Sequence, residues 1–137
     1  MTTRPTVLIT GASSGIGATY AERFARRGHD LILVARDTSR MESLALRLRK
    51  ESHVAVEVLP ADLTSSADLS VLESRLRDDA NIGVLINNAG MAQSGGFLDQ
   101  SAEAIERLVT LNTTAPTRLA AAIAPRLAQS GTGAIVN

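Results

Sequence analysis

Cysteine and tryptophan are absent from this sequence of 137 residues, and tyrosine and lysine occur once each, as Tyr20 and Lys50. Without cysteine there is no disulfide framework and no thiolate metal centre; a reducing compartment fits. An excess of charge of either sign is also missing, since 14 basic residues balance 14 acidic ones. That balance removes the electrostatic reason to expect a nucleic-acid partner. No apolar run approaches the length of a signal-peptide core or a membrane span: Met1–Pro5 leads directly into Val7–Ile9. The chain therefore reads as cytoplasmic, with no membrane partner. His29 and His53 fall in turns ahead of strands and are expected on the surface. No set of histidines or carboxylates has ligand spacing, so no metal is expected. What is present is an ordinary globular composition, 45% apolar and 20% charged, sized for one domain over residues 1–137.

Short apolar runs alternate with longer amphipathic ones. Thr6–Thr10 (TVLIT) is rich in β-formers and ends in a glycine cluster, which predicts a strand. Ile16, Tyr20, Phe24 and Ala25 recur at helical spacing over 15–27, and Gly28 supplies a stop. Leu31–Ala35 (LILVA) fits a strand buried on both faces. A helix is predicted over 38–51, with Met41, Leu44, Ala45 and Leu48 inward and Ser39 and Glu42 resembling a capping box. Strands follow over 54–59 and 83–87, separated by a helix over 66–78. After a loop with Gly95 and Gly96, Ser101–Gln129 reads as one long helix bent near Asn112–Pro116, because Pro116 lacks the N–H the helix ladder needs. Ala134–Asn137 opens a fifth strand, at which the sequence stops with no covering helix after it. Strand–helix alternation of this kind predicts a three-layer α/β fold, a doubly wound parallel sheet in the order 3-2-1-4-5, truncated after strand 5.

The strongest chemical signal is Thr10-Gly-Ala-Ser-Ser-Gly-Ile-Gly17, between the first strand and its helix. A dinucleotide pyrophosphate needs backbone N–H groups aimed at it and the positive end of a helix dipole beneath it. Glycine lets the main chain make that turn without a Cβ in the way. Thr10, Gly11, Ser13, Ser14, Gly15, Ile16 and Gly17 are therefore candidate binding residues, the serines as hydroxyl donors; the bland alternative is a glycine-rich turn with no ligand. A Walker A loop is excluded, because Gly17 is followed by Ala18 and Thr19 rather than Lys-Ser/Thr. At the end of strand 2 the sequence is Val34-Ala35-Arg36-Asp37. An acid at this position would bond a ribose 2′-hydroxyl and repel a 2′-phosphate. Here the acid position falls on Ala35, and the guanidinium of Arg36 follows, suited to a phosphate. The reading favours NADP; a register two residues later would bring in Asp37 and favour NAD.

The spacing T-G-x-x-x-G-x-G resembles the short-chain dehydrogenase/reductase family. Asp62-Leu63 after strand 3 is similar to the pair that contacts the adenine ring. Asn87-Asn88-Ala89-Gly90 is similar to that family's N-N-A-G, and Asn112 resembles the asparagine of the catalytic Asn-Ser-Tyr-Lys tetrad. The resemblance implies a Rossmann fold, a nicotinamide dinucleotide held by the glycine loop with Arg36, Asp62, Leu63, Asn88, Ala89 and Gly90, and a catalytic role for Asn112. It implies hydride transfer between nicotinamide and a carbonyl or alcohol substrate, and a homodimer or homotetramer in the full-length protein. Local alternatives exist: Asp62 as a helix-entry residue, Asn88 as a tie between strands, Asn112 as a solvated helix residue. The runs Leu31–Arg36 and Val58–Leu63 resemble bacterial ketone-reducing members.

The family's proton relay, Y-x-x-x-K, has no counterpart. The residue four after Tyr20 is Phe24, and the sole lysine is Lys50. Without a proton donor the developing alkoxide has no partner. Two readings remain: an N-terminal fragment of an NADP-dependent reductase, inactive by itself, or a non-catalytic dinucleotide-binding module that acts by association.

Overall fold

The computed structural model describes residues 3–137. In chain order it contains β1 (Thr6–Thr10), α1 (Gly15–Arg26), β2 (Leu31–Ala35), α2 (Thr38–Ser52), β3 (Val56–Pro60), α3 (Ser66–Asp78) and β4 (Ile82–Ile86). A 3-10 turn (Phe97–Asp99), α4 (Ala102–Val109), a π-turn (Thr110–Thr114), α5 (Ala115–Ser130) and β5 (Ala134–Val136) complete it. The five strands form one parallel sheet in the predicted order β3-β2-β1-β4-β5.

Successive strand residues point to opposite faces, and both faces are covered. Val7, Ile9, Leu31 and Leu33 meet Ala21, Ala25, Met41 and Leu48 of α1 and α2 on one side. Leu8, Ile32, Val34 and Leu85 meet Leu69, Leu72 and Leu76 of α3 and Leu119 and Ile123 of α5 on the other. Double coverage explains why Leu31–Val34 is a continuous buried run instead of an alternating one.

Helix α1 corrects the expectation for its buried face. Ile16 is 70% exposed, and the residues buried under the helix are Gly17, Ala21 and Ala25. Their spacing of four puts three small residues on one stripe, so the backbone lies close to the sheet and the larger side chains Tyr20 and Phe24 pack at its flanks. His29, expected on the surface, is half-buried: its ring meets Phe24 edge-on at 5.3 Å and Nδ1 donates to the Pro5 carbonyl at 2.8 Å. His53 is exposed and closes α2 in the left-handed conformation, φ 56°.

Further differences have local causes. The N-cap of α2 is Asp37, whose carboxylate accepts from the Arg40 amide at 3.1 Å, so Ser39 and Glu42 form no capping box. β3 begins at Val56, two residues later than expected, because the Ala55 amide is taken by the Asp30 carboxylate at 2.9 Å. The long helix is not merely bent. Pro116 cannot donate to the Asn112 carbonyl, and the chain widens into the π-turn at Thr110–Thr114, with the Ala115 amide reaching back to Thr110. β4 starts one residue early, at Ile82, which pairs with Thr6, and the register then shifts at Gly83 so that Val84 pairs with Val7.

At the N-terminal edge of the sheet Arg75 of α3 bridges Glu57 of β3 at 2.6 Å and Asp79 at 2.8 Å. Hydrogen bonds from Arg75 hold both carboxyls below their ordinary range. A depressed folded-state pKa contributes stability that is complete above the unfolded values, about 4.3 for Glu and 3.9 for Asp, and is lost as pH falls through the folded ones. Stability should therefore decline below about pH 4.5, and Arg75→Met should flatten that decline; urea unfolding midpoints at pH 7, 4.5 and 3.5 measure it. An unchanged acid slope would remove the network from the account.

Candidate functional site

The C-terminal ends of β1 to β4 open on one cleft of about 420 Å³, within the usual range for small-molecule and cofactor sites. Parallel strands aim their C-termini the same way, so the loops after β1, β2, β3 and β4 converge there. Gly11, Ser13 and Ser14 line it from the first loop, Val34 to Asp37 from the second, Ala61 and Leu63 from the third, and Asn88 to Gly90 from the fourth. Leu111 of the π-turn completes the wall.

The first loop leads straight into the amino end of α1. Ser14 is the N-cap residue but accepts no capping hydrogen bond, and the first turn of α1 holds no acidic side chain. The free amides and the positive end of the helix dipole are therefore left to an anion from outside the helix. Gly15 adopts φ +58°, and nothing lies within 4 Å of where a Cβ would stand, so its glycine answers to the backbone conformation. Gly17 answers to contact: a Cβ there would strike the Gly11 carbonyl and lie 2.6 Å from Asn88 Nδ2.

Buried hydrogen bonds lock the first and fourth loops together. Thr10, 1% exposed, accepts the amides of Asn88 at 3.1 Å and Ala89 at 3.0 Å on its hydroxyl, which itself donates to the Ile86 carbonyl at 3.4 Å. Asn88 Nδ2 donates to the Gly11 carbonyl at 3.1 Å. Thr10 thus acts from beneath the cleft, and Asn88 both lines the cleft and ties its loop to the glycine turn. Asn112, on the π-turn, clamps the loop further on: its Oδ1 accepts from the Met91 amide at 2.8 Å and its Nδ2 donates to the Met91 carbonyl at 2.7 Å. Met91 directly follows the cleft residue Gly90, a Cβ on which would stand 3.3 Å from Asn112 Oδ1.

The residues singled out in the sequence thus divide. Gly11, Ser13, Ser14, Arg36, Leu63, Asn88, Ala89 and Gly90 line the cleft, whereas Thr10, Gly15, Ile16, Gly17, Asp62 and Asn112 do not. Asp62 serves the turn into α3: its carboxylate accepts from the Thr64 amide at 2.9 Å and the Thr64 hydroxyl at 2.6 Å. Those bonds, with a smaller contribution from the positive charge of Arg36, hold its pKa below the ordinary value. Leu63, largely buried beside it, gives the cleft an apolar wall. Val34, Ala61 and Leu111 also line the cleft, with no sequence signal beyond their places at strand ends and in the π-turn. Tyr20 packs against Phe24 with ring centroids 6.3 Å apart and does not reach the cleft.

Comparison with known proteins agrees with this geometry. The family profile for short chain dehydrogenases matches residues 5–137. A short-chain dehydrogenase from Sphingobium yanoikuyae, solved in complex with NADPH, is 78% identical, with a TM-score of 0.96 over 97% of this chain and 52% of its own. A bulky-bulky ketone specific alcohol dehydrogenase from Comamonas testosteroni is 67% identical, with a TM-score of 0.97 over 99% of this chain and 54% of its own. An uncharacterized oxidoreductase from Staphylococcus saprophyticus is 30% identical over 131 residues, 95% of this chain and 56% of the relative. The chain spans about half the length of the curated relatives it matches, as the 56% and 43% shares of the first two illustrate.

Thr10→Val keeps the shape of the side chain but strands the Asn88 and Ala89 amides. The expected loss is about 1–3 kcal/mol for a buried donor left without its partner, with Thr10→Ser largely retaining stability. Urea unfolding together with amide exchange at residues 88 and 89 checks it; exchange as slow as in the parent would show that the hydroxyl is not what holds the loop.

Proposed function

Since the chain belongs to the short-chain dehydrogenase family, we propose that it is the dinucleotide-binding part of an NADP(H)-dependent oxidoreductase acting on a carbonyl or alcohol carbon. The observation that carries the cofactor preference is Arg36. It lines the cleft at the end of β2 and takes part in no ion pair among the described residues. Ala35 is the last residue of β2, so no acid occupies the position that would bond a 2′-hydroxyl. Asp37, which also lines the cleft, is engaged as the N-cap of α2. The NADPH complex of the Sphingobium protein and the ketone specificity of the Comamonas enzyme support the same cofactor and substrate class.

The residues present fit such a group. The uncapped amino end of α1 and the bare Gly15 leave room and donors for a pyrophosphate. Ser13, Ser14 and Gly11 would flank it, with Gly17 keeping α1 close enough beneath. Arg36 would pair with the 2′-phosphate, and Leu63 and Ala61 would offer an apolar wall to the adenine, Asp62 fixing that turn through Thr64. Asn88, Ala89 and Gly90 would border the nicotinamide end, with Thr10 holding the amides of the first two. When bound, the cofactor supplies or accepts hydride at the nicotinamide. Asn112 is a positioning residue in this scheme: it fixes the backbone at Met91 and hence the loop beside the reacting end. Reduction of a carbonyl also needs a proton donor. With Phe24 four residues after Tyr20, and Lys50 as the lone lysine, these 137 residues hold the cofactor without a tyrosine–lysine pair to deliver the proton.

Two measurements follow. NADPH should bind more tightly than NADH in calorimetric titration of the chain, and Arg36→Ala should erase most of the gap, about 1–3 kcal/mol for a charged hydrogen-bond partner. Equal affinities in the parent would overturn the assignment of Arg36. In steady-state assays the 137-residue chain should oxidise no NADPH with any ketone or aldehyde; turnover abolished by Asn112→Ala would mean that the chemistry proceeds without the missing pair.

A further inference from the structure

The cleft wall at the end of β2 holds two opposite charges side by side, Arg36 and Asp37. A carboxylate there should oppose a 2′-phosphate as surely as the guanidinium attracts it, yet the Asp37 carboxylate is not free. One oxygen accepts from the Arg40 amide at 3.1 Å, and the other lies 3.4 Å from Arg40 Nε. Arg40 lines not this cleft but the neighbouring one between α1 and α2, with Ser39 and Ser43; Ser13 is common to both. Resting on the NADP(H) reading above, we propose that Arg40 is a positioning residue for cofactor preference, drawing the Asp37 carboxylate onto the first turn of α2 and neutralising it there.

The arrangement follows from helix geometry. Residues i and i+3 share a face, so a basic residue three after an N-cap aspartate reaches back to it. The carboxylate that caps the helix is thereby also the one whose charge is compensated. Without the Arg40 side chain the cap survives, since it uses the residue's backbone amide, but the negative charge beside Arg36 stands uncompensated. A ligand carrying a 2′-phosphate meets that charge, and one ending in a 2′-hydroxyl does not. Asp37 and Arg40 are 47% and 67% exposed, so the interaction is screened and the effect is modest and salt-dependent.

Calorimetric titration of the whole 137-residue chain with NADPH and with NADH, in low and high KCl, tests it. Arg40→Ala should weaken NADPH by about fivefold at low salt, the size of one unit-charge contact about 4 Å away and screened by water, with NADH unchanged and the effect shrinking in high salt. Arg40→Lys, which keeps the charge, should retain most of the preference. In an Asp37→Asn background, where the amide side chain still caps α2, removing the Arg40 side chain should no longer alter NADPH affinity. Three results overturn the inference. They are an unchanged NADPH-to-NADH ratio on Arg40→Ala, an equal loss for both cofactors, or a loss that persists in the Asp37→Asn background and so marks a direct contact of Arg40 with phosphate. A parent chain without NADPH preference would instead sink the reading of Arg36 on which this one rests.

Discussion

Thr10 ends the central strand β1 at the point where the sheet runs one way to β2 and β3 and the other way to β4 and β5. Its buried hydroxyl holds the amides of Asn88 and Ala89 in the loop after β4, while the Asn88 side chain reaches back to the carbonyl of Gly11. These bonds span 77 to 79 residues of sequence. They turn two loops that merely emerge at the same edge into a single surface of fixed shape. The crevice at such a reversal is where doubly wound sheets take their ligands. Here the crevice depends on a hydroxyl that does not itself line it and that faces a penalty for desolvation unless its partners stay in place.

The strand order and the glycine loop were legible in the sequence because they rest on local signals that agree. Leu31–Val34 has the uninterrupted apolar character of a strand covered on both faces, and Gly11, Gly15 and Gly17 have spacing that a simple turn does not require. What was hidden depends on partners distant in the chain. Ile16 has the same helical spacing as Tyr20 and Phe24, and only the closeness of α1 to the sheet decides that Gly17, Ala21 and Ala25 go inward. Asp37 and Ser39 are both good N-cap residues, and the exit of the chain from β2 chose between them. The π-turn was half legible: Pro116 announced a defect, but not the wider turn that absorbs it.

The site divides in the same way. Asn88 and Asn112 could be picked out by motif, but their work as clamps on Gly11 and Met91 needed the assembled strands. Asp62 and Leu63 were picked out as a pair, but their division of place needed the fold: the Asp62 carboxylate accepts from Thr64, and Leu63 lines the cleft. Charge is distributed with equal economy. A chain of zero net charge commits Arg47, Arg75 and Arg118 to carboxylates on other elements, while Arg36, beside the cleft, forms no such pair among the described residues.

The stripe of Gly17, Ala21 and Ala25 makes α1 a lever. A helix of twelve residues is about 18 Å long, and its position over β1 is set by contacts of the smallest side chains available. Extra bulk at Ala25, at the far end from the cleft, would lift that end and tilt the other. The amides before Gly17 would then swing relative to the loop that Asn88 holds. The aim of the cleft-facing end is thus calibrated at a place remote from the cleft, and variation there would be felt as an altered cleft before it was felt as unfolding.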